Sequence, residues 1–124
     1  MEQKYQMGTE SGSLLWNIGR MLEDAASFRV VSRSTAELAE GNPFHGDPEY
    51  AMETDLSRPL ILAELQEGKY KLLDGNHRLY KARALHVDRL PVYSLTREEH
   101  IRYIENYEEE TYRKIMEDLF GRDL

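Results

Sequence analysis

The chain reads as a small α+β (α/β) domain, a mixed β-sheet with helices packed on it. Three observations predict this class. Short strand-like runs alternate with helix-like ones along the chain. Two of the strand-like runs, residues 59–65 and 69–73, are separated only by Gln66-Glu67-Gly68, which is hairpin spacing. Ser34-Thr35-Ala36-Glu37 and Thr96-Arg97-Glu98-Glu99 both match capping boxes, in which a hydroxyl and a carboxylate satisfy the free amides of a helix start. The length of 124 residues fits a single domain, 1–124, with a modest core.

Taken in order, residues 1–12 show no period and contain Gly8 and Gly12, so they are expected to be partly flexible. Ser13 is placed to cap a helix carrying Leu14, Leu15, Ile18, Met21, Leu22 and Ala25 at helical spacing. Residues 28–31 form a short strand, and the Ser34 box opens a brief helix that stops before Gly41-Asn42-Pro43. Residues 41–58 read as a long loop, with Pro48 able to start a helical turn through Met52. In so small a domain a loop of that length is more often functional than idle.

The 59–73 hairpin feeds a helix over 78–85, and residues 89–95 form a further strand. Pro91 favours the edge of a sheet or the start of the strand. From the Thr96 box, Ile101, Ile104, Tyr107, Thr111, Ile115 and Leu119 predict one helix over 96–121, closed by Gly121. Tyr103, Tyr107 and Tyr112 on that helix serve either a homodimer face or core packing.

Composition excludes several classes of chemistry. With no cysteine, disulfides, thiolate metal sites and thiol catalysis are ruled out. No apolar run approaches the roughly 18 residues that span a bilayer, and there is no signal-peptide pattern, which predicts a cytoplasmic protein with no membrane contact. His45, His86 and His100 lack ligand spacing, so no metal site is expected. A net charge of −7 disfavours DNA as a partner across a broad surface. The charge is uneven, however. Residues 69–97 hold seven Lys and Arg against two acids, a balance of +5, and residues 98–124 hold nine acids against four bases, a balance of −5.

Inside the basic block lies Asp74-Gly75-Asn76-His77-Arg78, between a strand-like and a helix-like run. A glycine turn feeding a helix start aims free amides and a positive dipole end at one point, which suits an anion such as phosphate. Arg78 offers a bidentate guanidinium, or else pairs with Asp74 or Asp55. His77 donates to a phosphate or acts as an acid; alternatively it bonds a nearby carbonyl. Asp74 is a catalytic base or metal contact, or a turn residue capping the Asn76 or His77 amide. Lys81, one turn beyond His77, adds charge or is simply exposed. Glu53 and Asp55 are the spare carboxylates for a general base or an Mg²⁺ contact. Ser32, Arg33 and Ser34 end the first strand within reach of a ligand, or are ordinary loop polarity.

Leu-Asp-Gly-Asn-His-Arg-Leu-Tyr-Lys-Ala, preceded by Arg-Pro-Leu-Ile-Leu and followed by Leu-Pro-Val-Tyr, resembles the ParB/sulfiredoxin superfamily across residues 28–95. The resemblance implies a nucleotide-binding fold in which a Gly-x-x-Arg turn holds phosphates. Carried over, Gly75 makes the turn, the amides near Asn76 and His77 face the phosphates and Arg78 supplies charge. Asp55, Ser57 and Arg58 line the cleft as the corresponding loop does in relatives. The implied ligand is a nucleotide, ATP/ADP or CTP, alone or with Mg²⁺. Sulfiredoxin has a cysteine where Asn76 stands, so thiol-based sulfinic-acid repair is excluded. Only 29 residues follow Leu95, which disfavours the helix-turn-helix DNA binding of chromosome-partitioning ParB proteins. The expectation is a stand-alone ParB-like domain. The reaction expected of it, if it catalyses one, is phosphotransfer or nucleotide hydrolysis. The alternatives are a ParB-like nuclease acting on DNA, or a non-enzymatic nucleotide-sensing or partner-binding module.

Overall fold

A computed structural model describes residues 3–121. The described residues form an α+β fold with two sheets. The first is antiparallel, in the order β1 (Lys4–Thr9), β2 (Gly12–Asn17), β7 (Ile104–Glu105). The second has the order β3 (Val30–Ser34), β6 (Arg89–Leu95), β4 (Leu60–Gln66), β5 (Lys69–Asp74). It is mixed, because β4 and β6 run parallel while β3–β6 and β4–β5 are antiparallel. The helices are α1 (Ile18–Glu23), α2 (Thr35–Ala39), α3 (Pro48–Ala51), α4 (Asn76–Ala84), α5 (Arg97–His100) and α6 (Glu109–Phe120).

Strand β4 organises the core because both of its faces are covered. Ile61, Ala63 and Leu65 join Leu14, Trp16, Ile18, Tyr112 and Ile115 in one apolar cluster. Leu60 and Leu62 join Leu38, Leu72, Leu79 and Val92 in a second, with Leu38 from α2 and Leu79 from α4. A strand buried on both faces reads as a nearly continuous apolar run, as residues 59–65 do.

Most expectations for residues 28–95 hold, including the hairpin, the helix start at Ser34, whose side chain accepts from the Glu37 amide, and the helical turn at Pro48. Of the two places expected for Pro91, the sheet edge does not hold, since β6 is an interior strand, whereas a position near the strand's start does. Its pairing with β4 begins only at Val92, so Pro91 precedes that ladder.

Both ends of the chain differ from the sequence reading. Residues 4–9 form β1, paired with β2 through a turn at Glu10-Ser11; residues 1 and 2 lie outside the described residues. Ser13 lies within a strand instead of capping a helix, and Asn17 caps the shorter α1 by accepting from the Arg20 amide at 3.0 Å. Leu14 and Trp16, two residues apart, are both buried, so strand alternation overrides the helical spacing. Residues 96–121 are not one helix either. The Thr96 capping box forms, but α5 ends at His100, Ile104–Glu105 pair with β2, and Asn106 turns the chain at φ 61° before α6. Tyr103 and Tyr112 are buried in the core, so they do not furnish a dimer face. Burial and a hydrogen bond to Asp24 push the Tyr103 hydroxyl up to about 12.

His100 ties these parts together. Its Nδ1 accepts from Trp16 Nε1 at 3.1 Å, so the ring hydrogen sits on Nε2 and is donated to the Glu64 carbonyl at 2.8 Å. The ring is fully buried, and that burial lowers its pKa below the ordinary histidine value. The unfolded chain therefore takes up a proton that the folded chain resists. Stability is complete above about pH 6.5 and declines as pH falls below it, by up to about 1.4 kcal/mol per pH unit. Wild-type Tm should fall between pH 7 and 5, and His100→Gln should be less stable at pH 8 with a shallower slope over that window. Thermal melts at several pH values check this, and parallel slopes for the two proteins would contradict it.

Candidate functional site

The Asp74–Arg78 turn forms one wall of a cleft with a volume of about 800 Å³. Asp74 ends β5, Gly75 turns the chain, and α4 starts at Asn76. Gly75 adopts φ 113°, and a Cβ there would run into the Leu60 side chain. Only glycine satisfies both demands. No side chain caps this helix start, although its carbonyl accepts from the Leu79 amide at 2.9 Å. The first-turn amides are thus left for an external acceptor.

Arg78 is buried, unlike a side chain presented to solvent. Its Nη1 donates to the Arg58 and Pro59 carbonyls at 2.8 and 2.7 Å, and its Nη2 donates to Asp74 Oδ2 at 3.0 Å. Of the sequence alternatives, the pair with Asp74 forms and that with Asp55 does not. The other Asp74 oxygen accepts from Gln3 Nε2 at 3.0 Å. Asp74 therefore links Gln3, just before β1, to α4 and does not cap the turn.

The long loop closes over the same helix end. Asn76 Nδ2 donates to the His45 carbonyl at 2.6 Å, and Asn42 Oδ1 accepts from the Leu72 amide at 3.2 Å. Phe44 stacks on Tyr80 with 4.3 Å between centroids. The His77 ring lies edge-on to Phe44 and Tyr50, and a Cβ at Gly46 would strike it. Packing, with no carbonyl bond to its ring, positions His77 at the cleft.

The remaining sequence candidates separate into two groups. Gly75, Asn76, His77, Arg78, Asp74, Arg58 and Glu53 line the cleft together. Lys81 donates to the Thr54 carbonyl at 2.6 Å and lies outside the lining. Asp55 is also outside it, exposed, and holds the Ser57 amide and hydroxyl at 2.9 and 2.7 Å. Those two bonds, with the nearby charges of Arg58 and Lys81, keep its carboxyl below the usual range. Ser32 accepts from Arg89, and Arg33 lies over the Tyr70 ring beside a separate small cavity.

Sequence reasoning missed Gln3, just before β1, Lys4 and Tyr5 from β1, and Lys71 from β5, all of which line the cleft. The alternation of polar and apolar residues in Lys4-Tyr5-Gln6-Met7 carried the signal for Lys4 and Tyr5. Lys4 pairs with Glu105 at 2.9 Å. Arg58 and Lys71 make no side-chain hydrogen bond or ion pair among the described residues, so they are the cations available to a ligand. The lining as a whole carries four cations, Lys4, Arg58, Lys71 and Arg78, against Glu53 and Asp74. Among the described residues no three His, Cys, Asp or Glu stand together as a metal-ligand set. No helix among them is long and apolar enough to cross a membrane.

Removing the Arg78 guanidinium takes a donor from two carbonyls and leaves a nearly buried carboxylate without its counter-charge, held only by Gln3 among the described residues. Arg78→Ala should cost about 3–5 kcal/mol of stability. Gly75→Ala should cost about 2–4 kcal/mol through strain and overpacking. Arg58→Ala, at an exposed position, should stay within about 0.5 kcal/mol of wild type. Urea unfolding of the three variants checks this order, and an Arg78→Ala protein as stable as wild type would contradict it.

Comparison of the chain with protein-family models, curated proteins and solved structures finds no match, so the reading of the cleft rests on its own geometry.

Proposed function

We propose that the cleft binds a nucleoside di- or triphosphate, as the resemblance of its turn to the ParB/sulfiredoxin superfamily implies. The phosphates would lie against the amides of Asn76, His77 and Arg78, with Arg58 paired to an oxygen and Lys71 further along the cleft. One observation carries this reading: on a chain of net charge −7, the cleft that holds an uncapped helix start has four cations against two acids. An anion is attracted there while the rest of the molecule repels it. Charge-assisted bonds from amides and guanidinium are the strong ones, each contributing about 1.5–3 kcal/mol. In this reading Arg78 acts by position and charge, since three of its donors are engaged internally, and Arg58 is the arginine that meets the ligand.

The reaction that suits such a site is phosphoryl transfer or nucleotide hydrolysis, where alignment and charge stabilisation do most of the work. ATP, ADP, CTP and GTP, each with and without Mg²⁺, test the reading by thermal stabilisation. A ligand at a hundredfold excess over its Kd adds about 2.7 kcal/mol, which raises Tm by about 10 °C in a domain of this size. Arg58→Ala should fold normally and bind about ten- to a hundredfold more weakly. No shift with any of the four nucleotides would overturn the proposal.

A further inference from the structure

The cleft lining contains two carboxylates, and their situations are opposite. Asp74 has one oxygen on Gln3 and the other on Arg78. Glu53 is exposed, and its carboxylate has no hydrogen bond or ion pair among the described residues. Its backbone is nevertheless held firmly. The Glu53 amide donates to the Tyr50 carbonyl at 3.0 Å, and the Tyr50 ring stands 4.9 Å from the His77 ring. On the other side, Lys81 holds the Thr54 carbonyl at 2.6 Å. Both flanks of Glu53 thus contact α4 within its first two turns, and the acid lines the same cleft as the uncapped helix start.

We propose that Glu53 is the carboxylate that meets the metal of a metal–nucleotide complex in this cleft, an inference that rests on the nucleotide reading above. The donor set fits a cation brought in by the ligand and not one resident in the protein. Mg²⁺ prefers octahedral oxygen coordination and keeps several waters, taking one or two carboxylates together with substrate phosphates. A single unengaged carboxylate beside a phosphate turn meets that requirement, and no three-residue ligand set is present among the described residues. Without the metal, Glu53 repels the phosphates that Arg58 and the helix start attract. With it, the same charge becomes a contact. Asp55, the other spare carboxylate near Arg58, is engaged by Ser57 outside the lining and has no such role.

Calorimetric titration with ATP, in EDTA and in excess Mg²⁺, tests this for the wild-type chain and for Glu53→Gln. Wild type should bind ATP about tenfold more tightly with Mg²⁺ than without. Glu53→Gln should lose most of that gain while binding metal-free ATP as well as or better than wild type. Glu49→Gln, one turn earlier and outside the cleft, should keep the full gain. An equal Mg²⁺ gain in wild type and Glu53→Gln, or no gain in wild type, would overturn the role of Glu53 and leave nucleotide binding standing. Absence of ATP binding by wild type under both conditions would overturn both.

Discussion

The buried guanidinium of Arg78 is the constraint on which the cleft depends. A charge removed from water must be paired and hydrogen-bonded, or the fold loses several kcal/mol. Here the partners are the Arg58 and Pro59 carbonyls, at the entry to β4, and the Asp74 carboxylate, at the exit of β5. One side chain therefore fixes the start of one central strand, the end of its neighbour and the helix that follows. Asp74 extends the link to Gln3, which brings the beginning of β1 to the same point. Three walls of the cleft converge on one ion pair.

That arrangement separates the residues that build the cleft from those free to meet a ligand. Arg78, Asp74, Lys81 and Asn76 engage their side chains in protein acceptors or donors. Arg58, Lys71 and Glu53 point no side-chain bond at the described residues, and the first-turn amides of α4 have no side-chain cap. The motif is informative because it creates a place for these groups. The acidic surface elsewhere sharpens the contrast, since a local positive potential within about a Debye length, roughly 8 Å at physiological salt, governs what reaches the helix start.

The central part of the fold was legible because its signals are local. Gln66-Glu67-Gly68, the Thr96 capping box, the Ser34 N-cap and Gly75 each dictate their own turn, and the structure contains all of them, although at Ser34 only the serine half of the expected box forms. The ends were misread because a short apolar run satisfies two periods at once. Leu14, Leu15, Ile18 and Met21 fit a helix, yet Leu14 and Trp16 form the buried face of a strand, a choice decided by the partner strand β7 and by His100 84 residues away. Ile101, Ile104 and Tyr107 likewise keep helical spacing, although α5 ends at His100, residues 104–105 pair with β2 and Asn106 turns the chain with a positive φ. For the site, residue types were legible and their engagement was not. Nothing local distinguishes Glu53 from Asp55, whereas Ser57 and the path of the loop do.

The most direct test of the account is backbone amide NMR of the wild-type chain during titration with metal-free ATP. The account predicts that the largest and saturable shifts fall on the Asn76, His77 and Arg78 amides, with Arg58 and Lys71 following the same isotherm. Shifts centred away from the cleft, or an unchanged spectrum at millimolar ATP, would contradict it.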